Sequence, residues 1–177
     1  MSSTPTTPTA TGRHERREGR DWIVFTRTFR APVQDVWAAV TEPERMARWI
    51  GTWHGDPTSG TVWFRMTAEE GMPEEEHRVE ACEPPHRLRT RSVGEGPDGE
   101  EHPWVLELRL SEQGGVTTLE FCQDLPDPAM AHHVGPGWDY YLDRLEAAFG
   151  GRDADEVEFE PAYYPGLMAT YQERFPG

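Results

Sequence analysis

Short segments of alternating apolar and polar residues run through the middle of the chain, separated by turn residues. The alternation is cleanest in residues 105–110, where leucine occupies every second position from 106 onwards and glutamate or arginine lies between. A period of two is typical of a β-strand with one covered face. Short connections favour antiparallel pairing, because parallel strands need long crossovers. Seven segments fit this description: residues 21–30, 52–56, 61–69, 74–83, 86–93, 103–112 and 115–124.

Apolar residues at helical spacing occur in two other places. After the first strand, Pro32 and Pro43 are each placed to begin a short helix. Residues 128–149 predict a long amphipathic helix that stops at Gly150. Its apolar face needs a surface to cover, and the predicted sheet is the only one large enough. The sequence therefore predicts an α+β fold in which a curved antiparallel sheet of about seven strands packs against a long C-terminal helix.

Four stretches of the sequence, taken together, match the pattern of a known family. They are residues 29–50, 79–92 and 116–124, and Gly137-Trp138 followed by residues 141–149. This set resembles the START-like or SRPBCC superfamily, and within it the domain named for activators of the heat-shock-protein-90 ATPase. The resemblance implies the helix-grip (START-like, Bet v-like) fold, with a cavity between helix and sheet that holds a hydrophobic or amphipathic small molecule in many relatives. Some relatives are polyketide cyclases or aromatases, some carry lipids or hormones, and some are co-chaperones, so the fold alone selects no function.

The resembling region covers residues 21–150 and leaves both ends of the chain outside it. Residues 1–20 are rich in Ser, Thr and Pro and then in charged residues, which predicts a disordered N-terminal arm. Residues 151–177 begin acidic and end aromatic, which predicts an extension that docks on the domain with a short helix near residues 165–174. We therefore expect one domain with two appendages.

The sequence Gly135-Pro136-Gly137 is unfavourable inside a helix. Pro136 lacks an N–H group and clashes with the carbonyl group of His132. We therefore expect a kink or a 3₁₀ turn at residues 134–137. It would separate an N-terminal segment that covers the cavity mouth from the part of the helix that packs against the sheet. The alternative is that Pro136 lies in the first turn of the helix and that the preceding residues form a separate turn.

The charge of the chain excludes several classes of partner. The formal charge of −15 arises from 32 acidic and 17 basic residues, and every basic residue is arginine. Nucleic acid and anionic membranes both require a basic surface, so neither is an expected partner. The absence of lysine excludes Schiff-base chemistry. We find no signal peptide and no apolar run long enough to span a membrane, so we expect a soluble, cytoplasmic protein.

No motif for catalysis, metal binding or cofactor binding is recognisable. His132 and His133 are adjacent, whereas metal ligands on a helix are three or four residues apart. The sequence has no GxSxG nucleophile elbow, phosphate loop or GxGxxG fingerprint. We therefore expect neither a metal nor a cofactor, whereas acid or base catalysis by a polar residue inside the cavity stays open.

The candidate ligand-binding residues are aromatic and polar residues on the elements that would enclose the cavity. They are Trp63, Trp104, Trp138, Tyr141, Arg89 and His77. The four aromatic rings are suited to stacking on a flat ligand, with packing in the core as the alternative. The arginine and the histidine are candidates for hydrogen bonds to a ligand if their side chains point inward. The sequence does not decide which face of its strand each residue occupies.

Three functions are compatible with these features. The first is a cavity protein that binds a hydrophobic or aromatic small molecule without catalysis. The second is an enzyme of the polyketide cyclase or aromatase kind, in which an inward-facing polar residue moves a proton. The third is a chaperone-associated interaction protein, which only the name of the resembling domain suggests. A monomer and a homodimer are both compatible with each of these functions.

Overall fold

The computed structural model describes residues 7–94 and 103–176 and confirms the α+β helix-grip fold. A curved antiparallel sheet of eight strands, one more than predicted, surrounds a long helix near the C-terminus. The strands are β1 (Arg13–Arg17), β2 (Arg20–Phe29), β3 (Gly51–Asp56), β4 (Thr61–Met66), β5 (Glu75–Glu83), β6 (Arg87–Val93), β7 (Val105–Gln113) and β8 (Val116–Leu125). The helices are α1 (Val33–Thr41), α2 (Pro43–Met46), α3 (Ala131–Phe149) and α4 (Met168–Arg174). None of the described helices is long and apolar enough to cross a membrane.

The strand order is β1-β2-β8-β7-β6-β5-β4-β3, with each neighbouring pair antiparallel. Strands β3 to β8 form the predicted meander, and β2 returns to pair with β8. The two short helices α1 and α2 follow β2 directly, as the two prolines predict. β1 and β3 lie at the two edges of the sheet.

The prediction of a disordered arm over residues 1–20 is wrong for β1, which pairs along its whole length with β2. This edge strand carries almost only charged residues, which an apolar periodicity cannot detect. Its side chains are held by polar contacts instead, because Arg17 forms an ion pair with Glu120 at 3.1 Å and His14 forms a hydrogen bond with Asp21 at 2.8 Å. Residues 1–6 of the predicted arm lie outside the described residues.

The apolar face of α3 packs against the concave face of the sheet. Leu142 and Leu145 are fully buried in one cluster with Ile23 and Phe25 of β2 and Leu119 of β8. Burying a leucine side chain stabilises the fold by about 1.5–3 kcal/mol, so these contacts fix α3 across the sheet. The helical spacing of the apolar residues in the sequence specifies this face.

α3 continues through Pro136 without a break, so the 3₁₀ turn expected at residues 134–137 is wrong, as is a helix that begins at Pro136. The 3₁₀ turn lies earlier, at Pro128–Met130. Pro136 is the sixth residue of α3, so its missing N–H costs the helix a single hydrogen bond, the one to the carbonyl group of His132. Gly135 has a different role, because a Cβ atom there would lie 2.7 Å from the ring of Tyr171.

The C-terminal extension packs on the same end of α3. Tyr171 and Phe175 are fully buried, and the hydroxyl group of Tyr171 donates a hydrogen bond to the carboxylate of Asp139. Asp139, itself fully buried, also accepts hydrogen bonds from Thr11 and from Arg27 of β2. One side chain of α3 thus connects the start of the described chain, the sheet and the C-terminal helix.

Candidate functional site

A cavity of about 1410 Å³ lies between α3 and the concave face of the sheet. Alternate residues along β4 and β6 to β8 form much of its wall, because successive side chains of a strand point to opposite faces. Typical of these inward positions are Val62 and Phe64 on β4, and Leu119 and Phe121 on β8. α3 closes the cavity on the other side with Trp138 and further apolar residues. The enclosed space is therefore largely apolar and rich in aromatic rings.

Four of the six predicted site residues line this cavity together: His77, Trp104, Trp138 and Tyr141. They come from β5, from the residue just before β7, and from α3. Trp104 is 39% exposed, so its ring lies where the cavity opens to solvent, whereas His77 and Tyr141 are buried. The structure thus brings residues up to 64 positions apart in the chain to one cavity.

Trp138 is an aromatic ring of the cavity that is held by both a hydrogen bond and ring packing. Its indole Nε1 donates a hydrogen bond of 2.6 Å to Oε1 of Gln123 on β8. The ring of Phe121 lies 4.3 Å away between centroids, with the two planes tilted by 49°. Because one end of the indole is hydrogen-bonded and one face is packed, Trp138 presents an ordered apolar surface to the cavity.

Tyr141 contributes a ring to the cavity and directs its hydroxyl group away from it. The hydroxyl donates a hydrogen bond of 2.6 Å to Oε1 of Glu69, which lies on the exposed segment after β4. Burial, together with the carboxylate of Glu69, raises the pKa of Tyr141 above its ordinary value. Tyr141 is therefore a neutral hydrogen-bond donor at physiological pH and holds α3 to the loop.

His77 is a buried ionisable group on the wall. Its ring stands edge-on to Phe64 at 5.9 Å, and its Nε2 atom is buried without a hydrogen-bond partner among the described residues. The nearest carboxylate, that of Glu75, is 3.6 Å from Nε2, which is too long for a good hydrogen bond. The imidazole nevertheless holds the pKa of Glu75 below its ordinary value. A ligand or solvent molecule that reached His77 would meet an unsatisfied nitrogen.

The other two predicted residues, Trp63 and Arg89, point to the opposite face of the sheet. Trp63 is 38% exposed and stacks on His54, with ring centroids 5.6 Å apart. Arg89 lies over the ring of Trp22 at 5.5 Å and beside the carboxylate of Glu107 at 3.8 Å. Residues next to them in the sequence, such as Phe64 and Thr90, line the cavity instead. The two predictions are therefore wrong, because Trp63 and Arg89 each lie on the other face of their strand.

The convex face also has a buried part, which is why parity is hard to assign from the sequence. Trp22, Val24, Val105 and Cys122 form a small apolar cluster there. Glu107 is only 2% exposed beside this cluster, and accepts hydrogen bonds from arginine side chains of β6 and β7. Apolar residues therefore occur on both faces of β7, and neither face is uniformly polar.

The polar residues that line the cavity and that sequence reasoning missed include Thr90 and Ser92 of β6 and Gln123 of β8. In the sequence they resemble ordinary surface residues, and only the strand register shows that they lie on the face of the sheet that lines the cavity. Ser92 pairs with His77, and Thr90 lies two positions before Ser92 on the same face. Within residues 7–94 and 103–176 no group of three His, Cys, Asp or Glu side chains is placed to hold a metal ion.

Comparisons with known proteins agree with this architecture. The family model for "Activator of Hsp90 ATPase homolog 1-like protein" matches residues 30–150. The crystal structure of CalU16 from Micromonospora echinospora is 29% identical over 92% of this chain and 90% of that chain, with a TM-score of 0.62. The solution NMR structure of the same protein covers 97% and 93%, with a TM-score of 0.66.

A third solved structure, DynU16, is a protein of the dynemicin biosynthetic locus. It is 27% identical over 75% of this chain, with a TM-score of 0.62, and this chain spans 49% of DynU16. No curated protein sequence matches the chain significantly.

Proposed function

The chain belongs to the Activator of Hsp90 ATPase homolog 1-like family, and from its cavity we propose that it binds a hydrophobic or aromatic small molecule. The observation that carries this proposal is the cavity of about 1410 Å³, which the protein's own side chains leave unfilled. Protein interiors are packed as densely as organic crystals, and their voids rarely exceed the size of a water molecule. A space this large costs stability, so a fold that keeps it open is suited to an occupant.

The lining supports the chemical class of that occupant. Trp138, Phe121 and Phe64 provide aromatic surface, and Leu106 and Leu119 provide aliphatic surface. Ligand pockets of about 300–1,000 Å³ already bury most of a drug-sized molecule. The volume here is therefore enough for a fused-ring or long-chain molecule, held chiefly by the removal of apolar area from water.

Binding of the neutral aromatic dye N-phenyl-1-naphthylamine tests the proposal. Its fluorescence rises in an apolar site, and we expect saturable binding to the wild-type protein. Gly137 lines the cavity and has no atom within 4 Å of an added Cβ, so Gly137→Phe places a ring in the cavity. This variant should weaken dye binding by at least about tenfold, the equivalent of 1.4 kcal/mol.

The matched control is Trp63→Leu, which removes an aromatic ring from the convex face. It should bind the dye as the wild type does. Failure of the wild type to bind the dye would count against the proposal, as would equal binding by Gly137→Phe with its fold intact by circular dichroism.

A second candidate is an enzyme of the polyketide cyclase or aromatase kind, because the cavity wall holds an ionisable pair. Nε2 of His77 lies 3.6 Å from the carboxylate of Glu75, and both residues line the cavity. An imidazole beside a carboxylate is suited to moving a proton during ring closure. The test is cyclisation of a poly-β-ketone thioester, which the wild type should accelerate and His77→Gln should slow. Equal rates with and without protein would rule this candidate out for that substrate class.

A further inference from the structure

Four of the polar side chains that line the cavity lie close together in the strand register of its sheet wall. We call His77, Thr90, Ser92 and Gln123 the polar band, and all four line the cavity. In the strand register Ser92 pairs with His77, and Leu106 lies between Thr90 and Gln123. With strands about 4.8 Å apart, the band extends over roughly 14 Å from β5 to β8.

Three members of the band, Ser92, Gln123 and His77, have hydrogen-bonding capacity left over. Oγ of Ser92 accepts the backbone N–H of Trp104 at 2.8 Å, which leaves the hydroxyl hydrogen free to donate. Oε1 of Gln123 accepts the indole N–H of Trp138, so the remaining group of this carboxamide is its NH₂. His77 has the buried, unpartnered Nε2 atom described above. Polar atoms enclosed by an apolar wall favour an occupant that pairs with them.

The band is also uncharged apart from the titratable His77, and its surroundings disfavour an anion. Among the described residues of the cavity wall, only Arg20 and Arg91 carry a permanent positive charge, and both are exposed to solvent. The carboxylate of Glu75 lies beside His77, and the whole chain has a formal charge of −15. A carboxylate or phosphate group in the cavity would therefore lose its hydration without gaining a buried cationic partner.

We infer that the cavity selects an apolar aromatic molecule that carries neutral oxygen groups, hydroxyl or carbonyl, on the edge that faces the polar band. The apolar body lies against Trp138, Phe121 and Phe64, and the oxygens pair with the polar band. This inference rests on the proposed small-molecule function and adds the polarity and the orientation of the ligand.

Three matched probes test it: naphthalene, 2-naphthol and 2-naphthoate, with binding followed by the quenching of tryptophan fluorescence at neutral pH. We expect 2-naphthol to bind about five- to tenfold more tightly than naphthalene, the effect of one hydrogen bond. 2-Naphthoate should bind no better than naphthalene. In His77→Phe, which keeps an aromatic ring beside Phe64, and in Ser92→Ala, the advantage of 2-naphthol should shrink while naphthalene binding is retained.

The control variant is His54→Phe, which changes a histidine on the convex face and should keep the full preference for 2-naphthol. If naphthalene and N-phenyl-1-naphthylamine bind but 2-naphthol has no advantage, or 2-naphthoate binds most tightly, the neutral-oxygen inference is wrong and the proposed function stands. If 2-naphthol keeps its full advantage over naphthalene in both His77→Phe and Ser92→Ala, the inference that the polar band pairs with the ligand is equally wrong. If none of the aromatic probes binds, the proposed function itself fails.

Discussion

The ring of Tyr171 lies directly against the backbone of Gly135, where an added Cβ atom would be 2.7 Å from three of its ring atoms. The contact joins the C-terminal extension to the part of α3 that follows the 3₁₀ turn at Pro128–Met130. Neighbouring residues of the same helix segment line the cavity, namely Val134, Gly137 and Trp138. The extension therefore fixes the part of α3 that forms one side of the cavity.

Gly135→Ala should destabilise the protein by about 1–3 kcal/mol, because the new methyl group overlaps a rigid, fully buried ring. The measurement is the free energy of unfolding from urea denaturation. Gly137→Ala is the matched control in the same helix, where the added Cβ meets open space. Its effect should range from none to a gain of about 1 kcal/mol, because alanine is the better helix former.

A double-mutant cycle identifies the ring as the cause. In a Tyr171→Ala background the cost of Gly135→Ala should largely disappear, since residues in contact couple in their effects on stability. An unchanged cost in that background would mean that Gly135 is required for some other reason.

Tyr171→Phe should lower the free energy of unfolding by about 1–2 kcal/mol, because it removes a buried hydroxyl that makes two hydrogen bonds. The hydroxyl donates to Asp139 and accepts the backbone N–H of Gly12 at 3.0 Å. Tyr164→Phe serves as the control, because Tyr164 is only half-buried and stacks on Phe159. Equal stability of the two variants would contradict the role given to the Tyr171 hydroxyl.

Glu107 on the convex face gives a stability effect that depends on pH. Burial alone would raise the pKa of Glu107. Hydrogen bonds from Arg87 and Arg109 nevertheless bring this pKa below its ordinary value of 4.5. Folding therefore stabilises the ionised carboxylate. This stabilisation is fully present above the pKa of the unfolded chain and is lost as the pH falls through the lower pKa of the folded protein.

Glu107→Gln should accordingly lower the free energy of unfolding at neutral pH by about 1.5–3 kcal/mol, the range for hydrogen bonds to a charged group. The difference from the wild type should shrink as the pH is lowered from 4.5, and urea denaturation at a series of pH values measures it. Glu173→Gln, at an exposed position of α4, should show no such trend. A difference that grows in acid would contradict this account.

The long helix and its buried face are predictable from the sequence because a single periodicity determines them. Leu142 and Leu145 recur at helical spacing, and no competing surface is available to them. β1 is not predictable in this way, because an edge strand held by backbone pairing and by ion pairs such as Arg17–Glu120 carries no apolar period. Because apolar periodicity does not detect such a strand, the sequence predicts disorder for this charged segment.

The site is less predictable than the fold, because the side of each strand residue depends on parity. Arg89 and Thr90 are adjacent and both polar, yet Arg89 contacts Trp22 on the convex face and Thr90 lines the cavity. Gln123 follows the buried Cys122, so β8 is covered on both faces there. Where both faces of a strand are buried, the pattern of apolar and polar residues does not show which residues face the cavity and which face the convex cluster.

The most direct test of the central claim locates a bound molecule within the protein. Isotope-filtered nuclear Overhauser spectra of ¹³C-labelled protein with unlabelled N-phenyl-1-naphthylamine report which methyl groups contact the dye. We predict contacts with Val62, Leu106 and Leu119 of the cavity wall and none with Val24 of the convex cluster or with the exposed Val116. Contacts with Val24 or Val116 in place of the three cavity residues would contradict the assignment of the cavity as the ligand site.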